Sequence, residues 1–180
     1  FYCPASVSPG DHFLIVSALV PYKRIDLAIA SCQRAGVSLR IVGDGPDRGR
    51  LERQAGTTVT FLGPVGDERI RDEYRRARAV ILAGEEDFGI VPVEAQACGC
   101  PVVALGRGGA LETVIDGETG VLFREPTADS LVDALNRVTT MRVVRPRMRE
   151  HASQFSRERH AERIRELVNQ TLAYPPGTRW

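Results

Sequence analysis

The sequence predicts an α/β fold, a doubly wound parallel sheet, and two observations predict it. Apolar runs of four to nine residues recur along the chain, and a stretch of helical spacing follows nearly every one. The turns between them are short and glycine-rich, as strand–helix–strand units require. A chain of 180 residues is long enough to bury a proper core, and 43% apolar with 26% charged residues is ordinary globular composition.

The elements follow in order. HFLIVSALV (12–20) reads as a buried parallel strand. After it KRIDLAIASC places Ile25, Ala28, Ile29 and Cys32 on one helical stripe. SLRIVG (38–43) is a second strand, GPDRGRLERQA a short polar helix and TVTFLG (58–63) a third strand. DERIRDEYRRARA is a helix with Asp67 expected as its N-cap and Ile70, Tyr74 and Ala77 as its stripe. AVILAG (79–84), PVVALG (101–106) and GVLF (120–123) supply the remaining strands, with a short apolar helix, residues 90–98, between the first two. A helix over 127–138 starts at a Thr cap, and FSRERHAERIRELVNQTL presents Ala161, Ile164, Leu167, Val168 and Leu172 at helical spacing, a face expected to dock.

Charge and cysteine content narrow the function. Net charge is +1, so nothing points to nucleic acid. No apolar run approaches the roughly 20 residues that span a bilayer. Cys3, Cys32, Cys98 and Cys100 lack zinc-type spacing, no metal is expected, and a reduced, cytoplasmic setting fits. The opening FYCPASVSPGD (1–11) has linker composition and suggests a piece of a longer protein; 12–173 forms the domain and 174–180 a tail.

In a doubly wound sheet ligands bind outside the carboxyl ends of the strands. The loops there are LVPYKR, VGDGP, LGPVGD and AGEEDFG, which should be neighbours. In the helix that follows AGEEDFG every position from Ile90 to Cys98 is apolar except Glu94 and Gln96. Those two side chains point to opposite sides, about 200° apart. With Gln96 taken as the solvent edge, Glu94 faces inward and needs hydroxyl-type donors. Pro92 fits the first turn. Phe88, Gly89 and Ile90 form an entrance whose N–H groups suit a phosphate, with Gly89 allowing close approach. Lys23 and Arg24 stand at a helix N-terminus, against its dipole, which an anion such as a diphosphate would explain. VGDGP lacks the third glycine of a dinucleotide fingerprint and follows the wrong strand, and no P-loop is present. GRGGALE (106–112) either borders the site or merely turns the chain.

Glu86 and Glu94 form an E-x7-E pair within EDFGIVPVEAQACGCPVVA. Together with SALVPYKRID, IVGDGP, FLGPV and GGALETVIDGETGVLF, the chain resembles the C-terminal, donor-binding domain of a GT-B, family 4 retaining glycosyltransferase, on its mannosyltransferase-like branch. The resemblance implies a Rossmann-like domain, one half of a GT-B enzyme. It implies that Glu86 touches the transferred sugar, that Glu94 holds the ribose hydroxyls, and that the amides of Phe88, Gly89, Ile90 and Val91 meet the sugar and distal phosphate. Lys23 would neutralise the diphosphate, with Arg24 beside it. The base would lie along Gly63, Pro64 and Val65, with Asp67 facing a guanine edge. Many relatives carry an arginine where this chain has Ala18. The implied donor is a nucleotide sugar, GDP-mannose first and a UDP-sugar as the alternative, with no cofactor. The acceptor would be a glycan or lipid-linked glycan met through a missing N-terminal domain, leaving this piece able to bind donor but with little turnover. A nucleotide-sugar-binding module without activity is the rival from another class. Residues 142–166 hold eight arginines and four glutamates, which would suit peripheral contact with the inner face of an anionic membrane, or a solvated seam.

Overall fold

The computed structural model describes residues 1–3 and 10–173. The expected tail lies outside them, as does most of the expected linker.

Six strands form one parallel sheet: β1 (His12–Val16), β2 (Ser38–Val42), β3 (Val59–Gly63), β4 (Ala79–Leu82), β5 (Val102–Leu105) and β6 (Gly120–Phe123). Their spatial order is β3-β2-β1-β4-β5-β6. Register is continuous from Phe13 beside Leu39 and Ala79 out to Leu105 beside Phe123. Strand order reverses between β1 and β4, with β2 and β3 added on one side and β5 and β6 on the other, which opens a crevice at the carboxyl ends of β1 and β4.

Side chains alternate across the sheet, so each face has its own core. Phe13, Ile15, Ile41 and Ile81 join one cluster with Ile25, Ala28, Ile29 and Cys32 of α1 (Ile25–Ala35), Leu51 of α2 (Arg48–Gln54), and Leu131 and Leu135 of α6 (Ala128–Thr140). Leu14, Val80 and Val102 face the other way, onto Tyr74 of α3 (Asp67–Arg76), Ala95 of α4 (Ile90–Ala97) and Ala110 of α5 (Ala110–Thr113). The α1 stripe read from sequence is buried throughout. Thr127 caps α6 as expected, its hydroxyl accepting from the Ser130 N–H at 3.3 Å.

Three expectations are corrected. Asp67 is not an N-cap: extended Gly66 holds that position without a side-chain bond, and Asp67 is the first residue of α3, where its charge meets the helix dipole. Gln96 is fully buried, not at a solvent edge, because its amide donates to the Thr113 carbonyl at 2.7 Å at the end of α5. The apolar stripe of α8 (Arg157–Ala173) does not dock: Ile164, Leu167, Val168 and Leu172 are all exposed. What does fold back is α7 (Arg145–Ser153), which packs on α4 through its buried Met148 and Ala152.

Candidate functional site

The crevice holds a cavity of about 280 Å³, lined by Ser17 and Ala18 after β1, Lys23, Gly84 and Glu86 after β4, and Gly89, Ile90 and Val91 at the start of α4. Lys23 ends a 3-10 turn, Pro21–Lys23, and Arg24 follows in the left-handed region at φ 51° to begin α1. That kink sends the two cations apart. Lys23 Nζ pairs with Glu86 inside the cavity, both side chains about four-fifths buried. Arg24 turns back along its own helix to Asp26, at 3.5 Å.

The loops around the cavity are joined backbone to backbone. The Gly109 N–H donates to the Glu86 carbonyl at 2.7 Å, so the GRGG turn borders the site and supports the loop that carries Glu86. A Cβ at Gly109 would overlap the Phe88 backbone, and one at Gly84 would overlap Tyr22 and Lys23. VGDGP is tied to the first loop in the same way, with the Leu19 N–H donating to the Asp44 carbonyl at 2.9 Å. The four loops expected as neighbours are linked, since Gly43 N–H also reaches the Gly63 carbonyl at 2.9 Å.

At α4 the N-cap is Gly89, at φ 75° and with no side-chain cap, so the first-turn N–H groups face the cavity mouth unclaimed by any capping side chain. Phe88 points away, its ring 5.8 Å from that of Phe155. Glu94 lies one turn beyond Val91 on the same face. It is half-buried, and the Tyr74 hydroxyl donates to its Oε2 at 3.0 Å. Burial raises the Glu94 pKa above the ordinary carboxylate value, the hydroxyls of Tyr74 and Tyr2 counter that rise, and nearby Asp67 adds to it. Asp67 itself lines a separate recess with Phe1, Gly66 and Asp72. Gly63 closes β3 in the left-handed region, and Val65 is packed against the second core cluster.

The structure therefore brings Lys23, Glu86, Gly89, Ile90 and Val91 together and sets Glu94 one turn on. It leaves Arg24 and the Phe88 ring facing elsewhere. Sequence reading missed Tyr74 as the partner of Glu94. For Tyr74 a signal existed: a tyrosine on a core stripe needs a partner for its hydroxyl.

A largely apolar crevice at the switch point of a parallel sheet, holding Lys23 and Glu86 and bordered by a helix N-terminus, stands where such sheets take their ligands. Residues 6–159 match the family of glycosyl transferases group 1, and the chain belongs to that family. It is 33% identical to a D-inositol 3-phosphate glycosyltransferase of Rhodococcus erythropolis, over 96% of this chain and 44% of that protein. A Saccharomonospora viridis protein of the same name is 37% identical over 94% of this chain and 46% of its own. The chain thus spans about half the length of these relatives. Among solved structures, Anabaena HepE in complex with UDP is 27% identical with a TM-score of 0.78, covering 89% of this chain and 49% of that one. A Thermosynechococcus elongatus sucrose-phosphate synthase is 26% identical with a TM-score of 0.81, covering 96% of this chain and 50% of that one.

Proposed function

We propose that this chain is the donor-binding half of a retaining glycosyltransferase that moves a hexose from a nucleoside diphosphate sugar to a glycan or lipid-linked glycan acceptor. One observation carries the reading: Lys23 and Glu86 are paired within the crevice, beside the open N-terminus of α4. In the structure the two neutralise each other. A donor's phosphates would take Lys23 and the α4 N–H groups, and the hydroxyls of its sugar would take Glu86, so the pair is exchanged for two ligand contacts. Glu94, one turn further along, would hold the ribose diol. As the glycosidic bond breaks, charge grows on the leaving diphosphate. Lys23, released from Glu86 by the bound donor, and the helix N-terminus would stabilise that charge. The reading places no metal in the site.

For the base, HepE bound to UDP and to UDP-glucose supports a uridine donor. GDP-mannose is the second reading, supported by Asp67, whose carboxylate at the start of α3 could accept from the N–H edge of guanine. The acceptor side would come from residues outside this chain, so we expect the chain alone to bind donor while turning over little. A robust transferase rate from it would overturn that expectation.

The test is a thermal-shift panel of UDP, GDP, ADP and their sugar conjugates. Ligand at about 100 times its Kd adds roughly 2.7 kcal/mol, or about 5–10 °C in a domain of this size. We expect a shift with one base, abolished in E94A; no shift with any nucleotide would sink the binding reading.

A further inference from the structure

Phe88 precedes the Gly89 N-cap of α4, and its ring turns from the crevice toward Phe155, two residues past the end of α7. Phe155 in turn meets the His151 ring edge-on, with centroids 5.4 Å apart. His151 Nε2 lies 3.2 Å from the Thr113 carbonyl, and because a carbonyl only accepts, that nitrogen donates. The same carbonyl takes the buried Gln96 amide of α4 at 2.7 Å. One oxygen at the end of α5 therefore ties α4 to α7. The other end of α5 holds the loop itself. Gly109, its N-cap, donates to the Glu86 carbonyl and has no room for a Cβ beside the Phe88 backbone. The loop from Glu86 to Gly89 is thus gripped from two sides, by backbone from α5 and by the Phe88 ring from α7.

The grip bears on the helix entrance. Gly89 sits at φ 75°, and no capping side chain closes the first turn of α4, so the direction of the Ile90 and Val91 N–H groups depends on that one glycine. We propose that Phe155 is a positioning residue for the donor: through the Phe88 ring it fixes the backbone at Gly89, so that the α4 N–H groups stand ready for a phosphate before the ligand arrives. The inference rests on the reading of the α4 N-terminus as the phosphate-binding element of the crevice. Without the ring contact the loop has to be ordered at each binding event, and affinity falls by that cost. Phe155 acts through Phe88, not by touching the donor. The exposure of Phe88, 44% for a large aromatic side chain beside the site, is accounted for in the same way: its ring is a handle by which α7 holds the loop.

The experiment pairs amide hydrogen exchange of the ligand-free full chain with calorimetric titration of UDP and GDP. Both are run on the wild type, F155A, F155Y, F88A and the double variant F88A/F155A, with K23A as the binding control. In F155A we expect faster exchange across residues 85–92 with no change in the strands. Nucleotide binding should weaken about three- to tenfold, the scale of one aromatic pair. F155Y keeps the ring and should restore both. The double variant should lose no more than F155A alone, since both residues act through one contact; fully additive losses overturn the coupling. Unchanged exchange across the loop in F155A overturns the grip. Faster exchange with unchanged nucleotide affinity, while K23A still loses it, overturns the positioning role and leaves the donor reading standing. A wild-type chain that binds neither nucleotide sinks the donor reading and this inference with it.

Discussion

In the proposed function Lys23 and Glu94 carry donor binding, and each gives a sharp expectation. K23A removes the cation that pairs with Glu86 in the cavity. It should weaken nucleotide binding at least tenfold by calorimetry, whereas R24A, which loses only a contact to Asp26, should change it less than twofold. Glu94 also bears on stability. Its pKa is raised chiefly by burial, so its contribution is full below the ordinary value of 4.5 and is lost as pH rises through the raised value. At pH 7 the ionised carboxylate therefore costs stability. E94Q should raise the Tm by a few degrees while removing the nucleotide-induced shift, and thermal scans with and without ligand check both. The inward turn of Glu94 was legible because a lone acid in an apolar helix has few places to go. The route to it was wrong, since Gln96 is the more buried of the two. A glutamine whose amide finds a carbonyl at a neighbouring helix end cannot be told from a surface glutamine by pattern. Nor does any local pattern tell that Tyr2, far off in sequence, comes to rest edge-on against Tyr74.

Whole elements were more legible than single contacts. The parallel sheet, the α1 stripe and the Thr127 cap follow from periods and caps that are local in sequence. The cluster around Glu73 of α3 was not, because it is assembled from three elements. Glu73 is fully buried, with Arg69 at 2.8 Å, Arg40 of β2 at 3.1 Å and His12 of β1 at 3.6 Å. Burial, and then the Arg40 charge, hold His12 below its ordinary pKa of 6.5, outweighing the pull of Glu73. The folded chain therefore holds His12 neutral to lower pH than the unfolded chain does. Its contribution is present above pH 6.5 and is lost as pH falls through that value toward the lower folded one, because the unfolded chain takes up a proton that the fold refuses. The Tm should fall between pH 7.5 and 5.5, and H12Q should flatten that fall. An equal slope in both proteins would clear His12 of the effect. E73A, which removes a buried carboxylate but leaves its two arginine partners in reach of solvent, should cost about 1–2 kcal/mol by urea unfolding.

At the scale of the molecule, α8 stands apart. None of its residues is buried, and its apolar stripe is exposed beside arginines. A chain ending at Ser156 should therefore keep its Tm within about 3 °C and keep its nucleotide-induced shift, as scanning calorimetry would show. Among the described residues no helix is long and apolar enough to cross a membrane. The sheet and the crevice, by contrast, act as one body, because the loops around the cavity touch through backbone. At Gly84 and Gly109 there is no room even for a methyl group. That limits how such a site can diverge. Its walls cannot be reshaped by substitution at the contacts between loops without breaking the fit that defines them. Under the proposed function, variation in the preferred sugar would enter instead through lining positions outside those contacts, Ser17, Ala18, Ile90 and Val91. A library confined to those four, screened against a panel of donors, samples the specificity this scaffold can reach.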